Sequence, residues 1–149
     1  MSSNEQAEIY ALVYEYQNLK KLAEILGSEI EKKRIDLSEV NVALDEINNL
    51  RESVEALVPL GPVFVKGTLT NKVIVPIGSN YFVAMKPDEA KQKLNEIKAV
   101  LEKQIKELEG KLNEVLTKIS SIESQLLKLQ GSSSARETQE GSKESSKGS

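Results

Sequence analysis

The sequence predicts a mainly α fold with a small β element: two long helices forming an antiparallel coiled coil, joined by a β-hairpin region that oligomerises. Three observations lead there. Apolar residues recur alternately three and four apart through both halves of the chain, the spacing of a coiled-coil seam. Between the halves, Leu57 to Lys86 reads LVPLGPVFVKGTLTNKVIVPIGSNYFVAMK, with β-branched and aromatic runs set off by Pro, Gly, Asn and Ser, the pattern of successive hairpin strands. Of the 149 residues, 29% are charged and only 4% aromatic, which suits an elongated helical protein better than a compact globule.

The first helix is expected over 4–57. Ser3 followed by Gln6 has the spacing of a capping box, in which two side chains satisfy orphan backbone donors at a helix start. The seam runs Ile9, Leu12, Tyr16, Leu19, Ala23, Leu26, Ile30, Lys33, Leu37, Val40, Leu44, Ile47, Arg51 and Val54, broken only by Lys33 and Arg51. Pro59 pushes Val58 out of the α region, so the helix should end near Leu57 after roughly 80 Å. Gly27, which costs about 1 kcal/mol of helix propensity, and the nearby Lys33 mark a weaker stretch.

The β region is expected over 58–86, with clear strands at Val63 to Leu69, Val73 to Ile77 and Tyr81 to Met85. Val73, Val75 and Ile77 would line one face and Ile74 the other, while Phe82 opposes Tyr81, Val83 and Met85. Both faces are then apolar. Roughly thirty residues cannot cover two apolar faces alone, and the chain has no Cys or His with which to staple them. Uncovered strand edges carry the same implication, so the strands should pair across chains.

The second helix is expected over 87–130. Pro87 fits a first helical turn, where its missing N–H costs nothing, and Asp88 and Glu89 complement the positive end of the dipole. Its seam is Leu94, Ile97, Leu101, Ile105, Leu108, Leu112, Val115, Ile119, Ile122, Leu126 and Leu129, with successive four-residue steps from Ile97 to Ile105 that form a stutter. Glu-to-Lys pairs four apart, such as Glu107 with Lys111 and Glu114 with Lys118, belong to a solvated face. From 131 to 149 the chain has no apolar residue larger than Ala and is expected to be a disordered tail. Residues 1–130 then form a single domain, with both termini at the distal end of the helix pair.

Several function classes are excluded at this level. Without His or Cys, the usual imidazole or thiolate metal sites and Ser–His or Cys nucleophiles cannot be built. Gly61, Gly67 and Gly78 lack the spacing of a phosphate loop, and the carboxylates fall in helical charge patterns rather than a pocket. The chain is therefore read as no enzyme, with no cofactor and no metal. A net charge of -3 argues against nucleic acid as a partner. No run is long and apolar enough for a membrane span, and no signal-peptide pattern opens the chain, so no membrane and a cytoplasmic location are expected.

The central block is the most specific part of the sequence: VPLG, VFVKGTL and VIVPIGSNYFV, preceded by a long helix and followed by PDEA opening another. Over about residues 5 to 130 it resembles the alpha class of the archaeal prefoldin family. The resemblance implies two β-hairpins between the helices, so a fourth strand must come from splitting Val63 to Leu69 or from its flank. It implies a hexamer, two alpha with four prefoldin beta subunits, joined through strands into a β-barrel platform. Val63, Val65, Val73, Val75, Ile77, Tyr81, Phe82 and Val83 are the residues expected to carry that assembly. It further implies an ATP-independent co-chaperone that captures unfolded polypeptide clients at the coiled-coil tips and delivers them to a group II chaperonin. Client contact falls on Ile9, Tyr10, Leu12, Val13, Tyr14, Ile122, Leu126, Leu127 and Leu129, because helix ends are where seam contacts fray and apolar surface becomes available. From another class, a structural coiled-coil adaptor without holdase activity would show the same seam; the discriminator is the central block, since an adaptor needs only a turn there.

Overall fold

A computed structural model of the chain describes the backbone of residues 2–147 and the side chains of residues 2–131; the expected tail over 131–149 lies, beyond Gly131, outside those side chains. The elements in order are α1 (Ser3–Asn48), β1 (Ser53–Leu60), β2 (Val63–Thr70), β3 (Val73–Gly78), β4 (Tyr81–Met85) and α2 (Pro87–Lys147). They form two compact units, 1–30 with 107–149, and 31–106. Among the described residues no helix is long and apolar enough to cross a membrane.

The first unit is built from the start of α1 and the later turns of α2. Leu26, Val115 and Ile119 are buried together, with Tyr16, Leu19, Ala23, Leu108 and Leu112 packed around them. The hydroxyl of Tyr16 donates to Glu123 Oε1 at 3.3 Å. Advancing along α1 from Tyr16 to Leu26 therefore means receding along α2 from Glu123 towards Val115, so the helices run antiparallel. Every seam position here is buried or half-buried, from Ile9 to Ile30 and from Leu108 to Leu129. The three-and-four spacing thus translates directly into a packed stripe. α1 begins one residue earlier than the expected box: Ser2 is the cap, its Oγ accepting from the Glu5 N–H at 3.2 Å, and its carbonyl accepting from Gln6 N–H at 3.1 Å. Ser2 to Glu5 has the same box spacing as Ser3 to Gln6 and sets a carboxylate against the positive helix end.

The second unit holds the rest of both helices and all four strands. Its core is Ile47, Val75, Ala90 and Leu94, with Val40, Leu44, Leu50, Val73, Met85 and Ile97 packed against it. Two antiparallel hairpins, β1 with β2 and β3 with β4, form separate two-stranded sheets. α2 opens at Pro87, and Ala90 N–H returns to the Lys86 carbonyl at 2.9 Å.

α1 stops at Asn48, short of the expected end at Leu57. The last turn tightens, with Asn49 N–H bonding to Glu46 O and Leu50 N–H to Ile47 O, each at 3.1 Å, and Asn49 Nδ2 also donates to Asp45 O at 3.3 Å. An Asn pair at this point offers the terminal carbonyls side-chain and short-range donors, and helix propensity gives way. Arg51 and Val54 are then not seam positions, and Val54 lies in β1. The missing fourth strand is β1, on the flank of Val63 to Leu69 rather than inside it. Pro59 is accommodated because β1 is an edge strand, where a residue can lack an N–H.

Candidate functional site: two apolar hairpin faces and a helix terminus

Turn chemistry fixes the register of both hairpins. β1 and β2 pair from Ser53↔Thr70 to Leu60↔Val63, closed by Gly61 and Pro62. Gly61 has φ 58, a left-handed value that only a residue without Cβ adopts freely, and Pro62 holds the next φ near −65°, the order of a type II′ turn. β3 and β4 are closed by Ser79 and Asn80, at φ 49 and 64, the two left-handed residues that a type I′ turn requires. A register shift between Pro76 and Gly78 takes Ile77 out of the alternation, so Ile77 does not continue the face of Val73 and Val75.

Directly paired residues share a face, so β1–β2 presents Val54, Ala56, Val58 and Leu60 opposite Leu69, Gly67, Val65 and Val63. That face is apolar from end to end. Yet Val58, Leu60, Val63, Val65 and Leu69 are all exposed. The reverse face is mixed, carrying Glu55, Lys66 and Thr68 beside an exposed Leu57 and a Phe64 that is 65% exposed.

The β3–β4 hairpin is different. Its inner face, Val73 and Val75 opposite Met85 and Val83, rests on the helix ends of its own chain, with Val75 only 1% exposed. This corrects the expectation that Val73 and Val75 can be covered only by a neighbouring subunit: Ile47, Ala90 and Leu94 cover them. The outer face, Ile74, Pro76, Phe82 and Ala84, has no such cover, and Ile74 and Phe82 are exposed, as are Tyr81 and Ile77. Neither β3 nor β4 contains a charged residue. Strands at a sheet edge normally carry charge to prevent edge pairing. Of the eight residues expected to carry assembly, Val63, Val65, Ile77, Tyr81, Phe82 and Val83 are thus exposed on the chain, while Val73 and Val75 are anchoring residues.

Sequence reasoning missed half of the β1–β2 face. Val54, Ala56, Val58 and Leu60 share a face with only Glu55 as a polar neighbour, since Leu57 and Pro59 are apolar too, so the alternation is faint and overlaps the last steps of the helical seam.

The helix terminus of the first unit carries the other candidate residues. Tyr10 is 75% exposed, and Tyr14 and Leu127 are each 69% exposed. Ile9, Leu12, Val13, Leu126 and Leu129 are half-buried, and Ile122 is buried. Tyr16 closes this end with its bond to Glu123, and Lys20 Nζ sits 5.2 Å from the centre of the Tyr16 ring, a cation over an aromatic face. Tyr16 beside it, with Glu123 and Glu24 adding to the effect against desolvation, holds the Lys20 ammonium above its ordinary range.

Two helices in an antiparallel coiled coil, interrupted by two hairpins with bare apolar faces, define a coiled-coil subunit of the double-hairpin type. A prefoldin-subunit family profile matches residues 10–132. The chain belongs to the prefoldin family. It is 34% identical over 122 residues to prefoldin subunit alpha of Pyrococcus horikoshii, covering 77% of this chain and 82% of that one. With prefoldin subunit alpha of Thermofilum pendens it shares 35% identity over 121 residues, 77% of this chain and 94% of the relative. In fold it is similar to the crystal structure of the prefoldin beta subunit from Thermococcus strain KS-1, with a TM-score of 0.58 at 18% identity over 80% of this chain and 89% of the other.

Proposed function

We propose that this chain is the alpha-type subunit of an ATP-independent co-chaperone, assembling with prefoldin beta subunits as two alpha with four beta. The complex captures unfolded polypeptides at its coiled-coil tips and delivers them to a group II chaperonin in the cytoplasm. One observation carries the reading: the β1–β2 hairpin exposes a continuous apolar face on a scaffold whose other hairpin is locked to the helices by Val75. A scaffold that only separated two partners would need a turn between its helices, whereas bare strands with apolar faces are suited to co-assembly. Holding needs no catalysis. Burial of a Leu or Ile side chain contributes roughly 1.5–3 kcal/mol, so a few contacts from several tips hold a client reversibly through multivalency.

The experiment compares aggregation of a denatured test protein in the presence of intact complex, complex lacking the tail after Gly131, and complex lacking residues 1–14 and 122–149 or their equivalents in every subunit. Removing the tail, which is assigned no packing role, should leave assembly and protection unchanged. Removing the tips should keep assembly and weaken protection. Equal protection by the fully trimmed complex would move client holding to the helices or the platform.

A further inference from the structure

In the second unit's part of α1, Ile35 and Val42 are both more than half exposed. Both are aliphatic, and neither belongs to the seam. Seven residues apart, they stand on one side of the helix, opposite the stripe of Leu37, Val40 and Leu44 that packs inward. In a two-helix coiled coil that outer side is normally polar. The outer side of α2 in the same unit follows the rule: Asn95, Glu96, Ala99, Glu102, Lys103 and Lys106 are exposed there. Val100, the exposed aliphatic residue of α2 in this unit, adjoins the seam residue Leu101 instead. The asymmetry singles out α1.

The neighbours of Ile35 and Val42 limit what can cover them. A docked helix needs an apolar residue every three or four positions, but Ser38 and Glu39 follow Ile35 on this side, and Asp45 and Glu46 follow Val42. A folded subunit would need roughly 800 Å² of surface per partner with an uncharged centre. Neither fits two aliphatic side chains set among carboxylates. The two lie about 10 Å apart along the helix, the length of three residues of an extended chain. Glu31, Glu39, Asp45 and Glu46 are exposed around them, with Lys32 the cation on that side, so the complementary charge is basic.

We propose that this side of α1, from Glu31 to Glu46, is a second client site, which takes extended segments whose apolar residues recur at every third position with Lys or Arg between them. The site rests on the capture of unfolded chains proposed above and adds a sequence preference to it, on a stretch of helix separate from residues 9–14 and 122–129. Each contact here is weak. A chain already held at a tip makes them at high effective concentration.

Fluorescence anisotropy tests it with two labelled peptides, repeats of Leu-Lys-Gly and of Leu-Glu-Gly, titrated with the alpha–beta complex both intact and trimmed at the tips of every subunit. The Leu-Lys-Gly peptide should bind both forms, at least tenfold more tightly than Leu-Glu-Gly, and more weakly at high salt. Ile35→Ser with Val42→Ser should weaken its binding to the trimmed complex about tenfold, while Ala99→Ser on the outer side of α2 leaves it unchanged. Native mass and helical signal of the double variant should match the wild type. Equal binding by the double variant, equal loss with Ala99→Ser, or a preference for the Leu-Glu-Gly peptide overturns the site. A double variant that no longer assembles makes this side a subunit contact and overturns it too. If the double variant binds peptide normally and the intact complex still protects a denatured test protein, the site falls and tip capture stands. If the peptide binds here as expected and the denatured protein is not protected, the site stands and the capture function falls.

Discussion

At the scale of single residues, Val75 and Val65 look alike in sequence and differ in what surrounds them. Val75 is enclosed by Ile47, Ala90 and Leu94 of its own chain, so Val75→Asp buries a carboxylate with no partner and should destabilise the second unit by about 3–5 kcal/mol. Thermal unfolding followed by far-UV circular dichroism should show a large fall in midpoint for the isolated chain. A midpoint within a degree of the wild type would mean that Val75 is not a core residue. This difference could not be read from the sequence, because an alternating strand shows which residues share a face but not whether that face is covered by the same chain or by another. The tips pose a similar problem. Tyr10, Tyr14 and Leu127 stand off the seam and are visibly exposed candidates, whereas Ile9, Leu12 and Ile122 keep to the seam spacing and serve packing first.

At the scale of elements, both seams were legible position by position, since a three-and-four spacing admits one buried stripe on a helix and each seam residue within α1 and α2 lies on it. The end of α1 was not. Arg51 and Val54 continue the spacing by chance, while Asn48 and Asn49 stop the helix and Ser53–Leu60 finds its hydrogen bonds in β2 instead. Pairing with a distant strand is a tertiary effect that no local spacing records. Turn residues do more than break the strands: Ser79 and Asn80 adopt the two left-handed conformations of a tight hairpin. Ser serves poorly there, because its Cβ crowds the carbonyl. Ser79→Asn with Asn80→Gly should therefore stabilise the β3–β4 hairpin by about 1 kcal/mol, raising the thermal midpoint without altering the helical signal. A lowered midpoint would show that this turn is not of the I′ type.

At the scale of the whole molecule, the two hairpins differ in what covers them. β3–β4 ties the sheet region to the helices through Val73, Val75 and Met85, and β1–β2 leaves Val58, Leu60, Val63, Val65 and Leu69 bare. An apolar face of this kind favours a partner surface that removes it from solvent, and the uncharged strands β3 and β4 of the other hairpin are open to edge pairing. Val65 lies in the middle of this face, opposite Val58. A charge there costs the isolated chain little and should prevent partner docking. The most direct measurement is the native mass of the chain mixed with a prefoldin beta subunit, for the wild type and for Val65→Asp, alongside far-UV circular dichroism. The wild type should give a complex of two alpha with four beta. Val65→Asp should leave the alpha chain helical but unassembled. A Val65→Asp chain that still forms the full complex would contradict the claim that this face joins the subunits.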